Sequence, residues 1–218
     1  MVEIDGQVGS ATSGPQVIYF ISIFASALLL RLVYLLQIES IPLFYLLAGD
    51  GRTYDEWAQG IVGGDWIGQA IFYQAPLYPY FLGVLQSVFG HNLWLIRFWQ
   101  ILLGSLSCGL IYLVGQKLFS RAAGIAAGLI LACYAPAIFY DALIEKSILD
   151  LTLLSLLLFL LLNGGTANGW AKWLGAGVLL GLLGLSRENA LILAPVIGLW
   201  QFLRFANEAM ALRARWLG

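Results

Sequence analysis

Charge is what this sequence has least of. Only 11% of its 218 residues are Asp, Glu, Lys or Arg, less than half of the roughly 25% that an ordinary soluble domain carries. With 61% hydrophobic residues and a mean hydropathy of +0.86, there is too little polar surface to face water, and a soluble enzyme domain is excluded. Histidine is nearly absent as well: the single His91 leaves no Cys/His cluster with zinc-ligand spacing and argues against a Ser-His-Asp hydrolase. No Gly-x-x-x-x-Gly-Lys-Ser/Thr segment occurs, so a nucleotide-driven pump is not supported. The two cysteines, Cys108 and Cys133, lie inside apolar segments and read as small buried hydrophobes without a redox role. Nothing in the charge pattern suggests nucleic acid.

What the sequence does have is long apolar blocks, such as 17–36, 93–115 and 151–162. About 20 apolar residues cross a hydrocarbon core of about 30 Å, which places transmembrane helices near 16–38, 93–115, 122–140, 147–162, 171–186 and 189–204. The expected class is therefore an all-α polytopic membrane protein with about six spans. The first block follows Glu3 and Asp5, has no basic leader and contains Arg31, so it reads as a retained helix. Segment 76–90 is apolar but short, with Pro76 and Pro79 at its start, and fits a helix lying in the interface. That choice puts Lys117, Arg121, Lys172, Arg204, Arg213 and Arg215 on one side, the pattern of cytoplasmic loops. Trp57, Trp66, Tyr73, Tyr78 and Tyr80 are the amphipathic residues expected at headgroup level.

The resulting layout has a cytoplasmic tail over 1–15, a membrane module over 16–204 and a second cytoplasmic tail, or a truncation point, over 205–218. Both termini are cytoplasmic. The long loop 39–92, the turn 141–146 and the turn 187–189 lie outside. Gly124 and Gly128, like Gly177 and Gly181, are spaced four apart, the pattern that lets membrane helices approach closely.

The outer turns hold the residues suited to chemistry. Gly49-Asp50-Gly51-Arg52-Thr53-Tyr54-Asp55-Glu56-Trp57 is a polar knot directly after an apolar helix end. Asp141 and Glu145 are four apart, so on one helix they would share a face and, as like charges, push one pKa upward, which suits proton transfer or metal ligation. Arg187 opens the third turn. Each such carboxylate taken alone reads as a solvated loop residue, and it is their joint placement at helix ends on one membrane face that favours a site.

The ordered series Asp50-Gly-Arg-Thr-Tyr54, Gly64-Asp65-Trp66, Gln74-Ala-Pro76-Leu77-Tyr78-Pro79-Tyr80, Phe89-Gly90, Arg97, Leu118 to Gly124, Phe139-Tyr140-Asp141 and Gly181 to Ala190 resembles the GT-C superfamily of membrane glycosyltransferases. Within it, the series is most similar to the group of aminoarabinose transferases and protein O-mannosyltransferases, and it runs along nearly the whole chain. The resemblance implies inverting transfer of a sugar from a polyprenyl-phosphate donor to a lipid, glycan or protein acceptor hydroxyl, at the extracytoplasmic face of the cell (inner) membrane. It implies Asp50 as catalytic base and a second acid at Asp141 or Glu145, with Asp141 slightly favoured. Arg187 and Arg97 would face the lipid phosphate, with Arg52 and Lys146 behind them, and Tyr54 and Gln74 would help to bind substrate. The aminoarabinose group has lysines where this chain has Gln74 and Arg187, which alters the donor-phosphate site. Family members have about twice as many helices, so the chain corresponds to an N-terminal half. A divalent cation near Asp50 and Asp141 is compatible with hard carboxylate ligands, but no obligatory metal or cofactor is expected.

Two other classes share part of this pattern. A transporter or flippase would place its site near the bilayer midplane, whereas Arg31 and Asp150, among the few ionisable residues inside the expected spans, fall nearer the outer end, where such side chains can snorkel. A silent scaffold would need only the glycine packing.

Overall fold

The computed structural model describes residues 13–67, 74–162 and 169–203, and among them there are helices, turns and no strand. The tails at 1–12 and 204–218, with Tyr73, Arg204, Arg213 and Arg215, lie outside the described residues.

Helix α1 (Ser13–Ile38) and helix α4 (Leu93–Leu118) are each 26 residues long, about 39 Å at 1.5 Å per residue, and can cross a membrane. Between them lie two 13-residue helices, α2 (Asp50–Val62) and α3 (Leu77–Phe89), which at about 20 Å each are too short to cross. Helix α5 (Arg121–Cys133) is followed after Tyr134 by α6 (Ala135–Asp141), and the two are bent by 58°. Helix α7 (Ser147–Leu162) and helix α8 (Gly169–Ser186) follow, and a 3-10 turn (Glu188–Ile192) leads into a last apolar stretch that ends at Leu203.

All six segments expected to span are helical. By length and apolarity α1, α4 and α8 can cross, and the bent pair α5–α6 passes the same test only if its two helices are counted together as one span. Helix α7 has 16 residues, about 24 Å of rise, and with Glu188–Leu203 it belongs to the shorter apolar helices.

Helix α4 is the axis of the bundle. Its apolar window is 61% buried, against 17% in α1 and in α8, because α1, α5 and α7 all pack on it. Small residues permit the closest of these contacts. A Cβ on Gly124 would lie 2.5 Å from the Tyr112 carbonyl oxygen and one on Gly128 would lie 3.1 Å from that of Cys108, so α5 lies against the α4 backbone as the four-residue spacing predicts. Gly177 and Gly181 differ: a Cβ at either meets nothing within 4 Å among the described residues. The spacing alone could not show that this face of α8 is open. Cys133, the last residue of α5, is likewise exposed while Cys108 is buried.

Inside the bundle, Arg31 of α1 and Asp141 at the end of α6 form a buried ion pair, Nε to Oδ2 at 2.7 Å. Arg31 is fully buried and therefore does not snorkel. It also donates from Nη1 to the carbonyl oxygens of Ala27 at 3.4 Å and Ala132 at 3.3 Å. Helices α2 and α3 pack face to face beside this bundle, around Tyr54, Ala58, Tyr78 and Leu82. Tyr78 is completely buried, and its hydroxyl donates to Gln100 Oε1 of α4 at 2.8 Å.

Candidate functional site

Asp50 is the first residue of α2, and Gly49 before it turns the chain with a φ of +58°, a conformation easy only for glycine. The positive end of the helix thus faces the carboxylate. Position 51 sets what lies opposite. A Cβ on Gly51 would sit 3.0 Å from the Ile144 carbonyl oxygen, so the start of α2 rests directly on the turn 142–146, and the Asp50 and Glu145 carboxylates are brought near one another. Burial, and then the Asp50 charge, push the Glu145 pKa above the usual carboxylate range. From the other side, Gln74 Nε2 donates to Asp50 Oδ1 at 3.0 Å.

Tyr54, one turn along α2, is buried edge-to-face against Tyr78 with centroids 5.1 Å apart. Desolvation, then the charges of Glu145 and Asp50, push its phenol up to about 12. It therefore stays a neutral hydroxyl, serving as a wall beside the carboxylates.

A cavity of about 410 Å³ opens here, lined by Gln74, Ala75, Lys146, Arg187, Glu188 and Asn189. Gln74 links it to Asp50, and Lys146 and Arg187 supply its positive charge. Arg187 caps the end of α8, where its Nε donates to Asp150 Oδ2 at 2.8 Å and leaves the side chain half exposed. Asp150 also accepts from Ser186 Oγ at 2.5 Å. Asp150 thus works as an anchor, tying α7 to the end of α8.

The expected site residues divide on this geometry. Asp50, Tyr54, Gln74, Glu145, Lys146 and Arg187 gather around one recess; Asp141, Arg97 and Arg52 do not join them. Asp141 and Glu145 share no helix face, because α6 stops at Asp141 and Glu145 lies in the turn beyond. Asp141 points inward to Arg31 and is 3% exposed, so the like-charged neighbour of Glu145 is Asp50. Arg97 is buried, with Nε donating to the Ala142 carbonyl at 2.8 Å and its guanidinium over the Phe44 ring at 4.0 Å. Arg52 projects to the outside and pairs with Glu56 one turn along α2, 2.7 Å apart.

Gln100 was not anticipated from sequence. It is fully buried, accepts from Tyr78, and donates to the carbonyl oxygens of Asp141 (3.0 Å) and Leu143, so it fixes the turn that carries Glu145. An amide within an apolar span is the signal that could have found it. No group of three or more metal-binding side chains occurs among the described residues.

Against this geometry, the family described as dolichyl-phosphate-mannose-protein mannosyltransferase matches residues 73–217. The chain belongs to that family. It is a GT-C, mannosyltransferase-like membrane protein with glycosyltransferase character, and its all-helical architecture agrees. The match takes in Gln74, Glu145, Lys146 and Arg187 and begins after Asp50 and Tyr54. No curated protein and no solved structure matches the chain.

Proposed function

We propose that the chain transfers a sugar from a polyprenyl-phosphate donor to an acceptor hydroxyl, with inversion at the anomeric carbon, at the extracytoplasmic face of the cell membrane, and that Asp50 is the base. The observation that carries this reading is the Asp50–Gln74 contact at the edge of a cavity holding Lys146 and Arg187. One end offers a carboxylate to a hydroxyl and the other offers two cations to a phosphate.

An acceptor hydroxyl is a poor nucleophile at neutral pH. A carboxylate within hydrogen-bonding reach takes its proton as the new carbon–oxygen bond forms, while the bond from the anomeric carbon to phosphate breaks. Gln74 holds one carboxylate oxygen of Asp50 and leaves the other for the acceptor. Negative charge grows on the departing lipid phosphate, and Lys146 and Arg187 are placed to stabilise it. Glu145 is the second acid of the site, and burial, then the nearby Asp50 charge, hold its proton more tightly than in water. Asp141 and Arg97 serve the scaffold instead. The acceptor is a lipid, glycan or protein hydroxyl, and no obligatory metal is needed for these steps.

The test is transfer of radiolabelled sugar from a panel of polyprenyl-phosphate sugars in membranes containing the chain. Asp50→Asn keeps the shape of the side chain and removes the base, and a loss of about 10² to 10⁴ in rate is expected. Unchanged transfer in a folded, inserted Asp50→Asn protein would reject the assignment.

A further inference from the structure

A second cavity lies away from Asp50, at the junction of the α1 C-terminus with the α4 N-terminus. Its volume is about 690 Å³, and Glu39, Tyr45, His91, Asn92 and Trp94 line it together with Leu93 and Leu95. From this cavity we infer a binding site for a primary ammonium group, of the kind carried by an ethanolamine phospholipid headgroup.

Charge is the first argument. Glu39 has no ion-pair partner among the described residues, so a carboxylate lines the cavity with its charge uncompensated. The nearby cation, Arg97, is committed to the Ala142 carbonyl and the Phe44 ring. His91 places its Nε2 2.9 Å from both Asp55 oxygens. That carboxylate also accepts from Gln59 and Gln86, each at 2.8 Å.

The second argument is the lining. Tyr45 is 62% exposed, and Trp94 stacks on Phe98 with centroids 5.6 Å apart; aromatic faces attract cations through their quadrupole. The end of α4 offers less to an anion, because the Asn92 side chain already accepts from the Trp94 and Leu95 N–H groups at 3.0 and 3.1 Å. The lining therefore suits positive charge.

Depth is the third argument, and it points to a lipid as the source. Glu39 directly follows the apolar span Gly14–Ile38, and Asn92 directly precedes the span Leu93–Leu118. A cavity at the shared end of two membrane spans sits where the hydrocarbon stops and headgroups begin.

The experiment reconstitutes the full chain in phosphatidylglycerol vesicles that contain a minor fraction of phosphatidylethanolamine, followed by native mass spectrometry of the lipids retained on extraction. Phosphatidylethanolamine should be enriched about tenfold over its share of the vesicle, the order expected from one hydrogen bond to a charged group. Its N-acetylated form keeps the tails and phosphate but loses the ammonium, and should show no enrichment. Glu39→Gln should bring the enrichment close to parity, and Tyr45→Leu gives a second reading if Glu39→Gln fails to insert. Soluble ethylammonium separates the sources: displacement of the lipid supports a site for the free cation as well, and retention in its presence supports one that needs the whole lipid. Equal enrichment of the N-acetylated lipid, or full enrichment in both variants, would overturn the inference.

Discussion

A Cβ placed on Gly104 would lie 2.1 Å from Asp141 Oδ2. The central helix thus has to be bare at that point for the Asp141 carboxylate to reach Arg31 across it. Gly104→Ala should therefore force the ion pair apart, and it is expected to lower the melting temperature of the detergent-solubilised protein even though alanine is the better helix former.

The same pair sets the outcome of removing its acid. Asp141→Ala leaves the Arg31 guanidinium buried without a counter-charge, which costs about 3–5 kcal/mol for a buried pair. Thermal unfolding in detergent should show the loss, and the double variant Arg31→Met/Asp141→Ala should recover only the part due to the uncompensated charge, since it also leaves the Ala132 carbonyl without its donor. A catalytic Asp141 would instead give a stable, inactive single variant with no recovery in the double.

Two arginines that looked alike in sequence are expected to behave differently. Arg97→Ala orphans the buried Ala142 carbonyl, at about 1–3 kcal/mol, and should be seen first as lost stability. Arg187→Ala touches a half-exposed side chain and should leave the protein folded while lowering transfer. Measuring melting temperature and transfer on both variants separates the two roles.

The raised pKa of Glu145 makes a signed prediction. Its folded-state pKa lies above the unfolded one, so between the two values the folded state holds the extra proton and stability falls as pH rises. Glu145→Gln removes that penalty. The variant should melt above the wild type at pH 7, and the difference should vanish below about pH 4, where both states are protonated. A gap that does not depend on pH would count against a Glu145 carboxylate disfavoured by burial and by the Asp50 charge.

Much of this was legible in the sequence, and the failures have a common origin. Apolar length placed the helices because a bilayer imposes that length on any span, and the cluster around Asp50 was visible because polar residues are scarce enough to stand out. The spacing of Asp141 and Glu145 misled, since a four-residue step means a shared face only inside an unbroken helix, and the chain leaves α6 between them. Arg97 and Arg187 could not be told apart by type, because one guanidinium is spent on a carbonyl and a ring that lie far away in the sequence. Gly177 and Gly181 repeat the pattern of Gly124 and Gly128, and only three-dimensional packing shows which pair meets a neighbour.

The bend between α5 and α6 carries a debt that the arginine settles. Pro136 has no N–H, and in an unbroken helix that group would have bonded the carbonyl four residues back, Ala132. Hydrocarbon supplies no water to replace it, so an unmet carbonyl there costs several kcal/mol. Arg31 Nη1, reaching across from α1, donates to the Ala132 oxygen. One guanidinium therefore neutralises the acid at the far end of the bent span and heals the backbone at its break, so that the joint can be sharp without being loose.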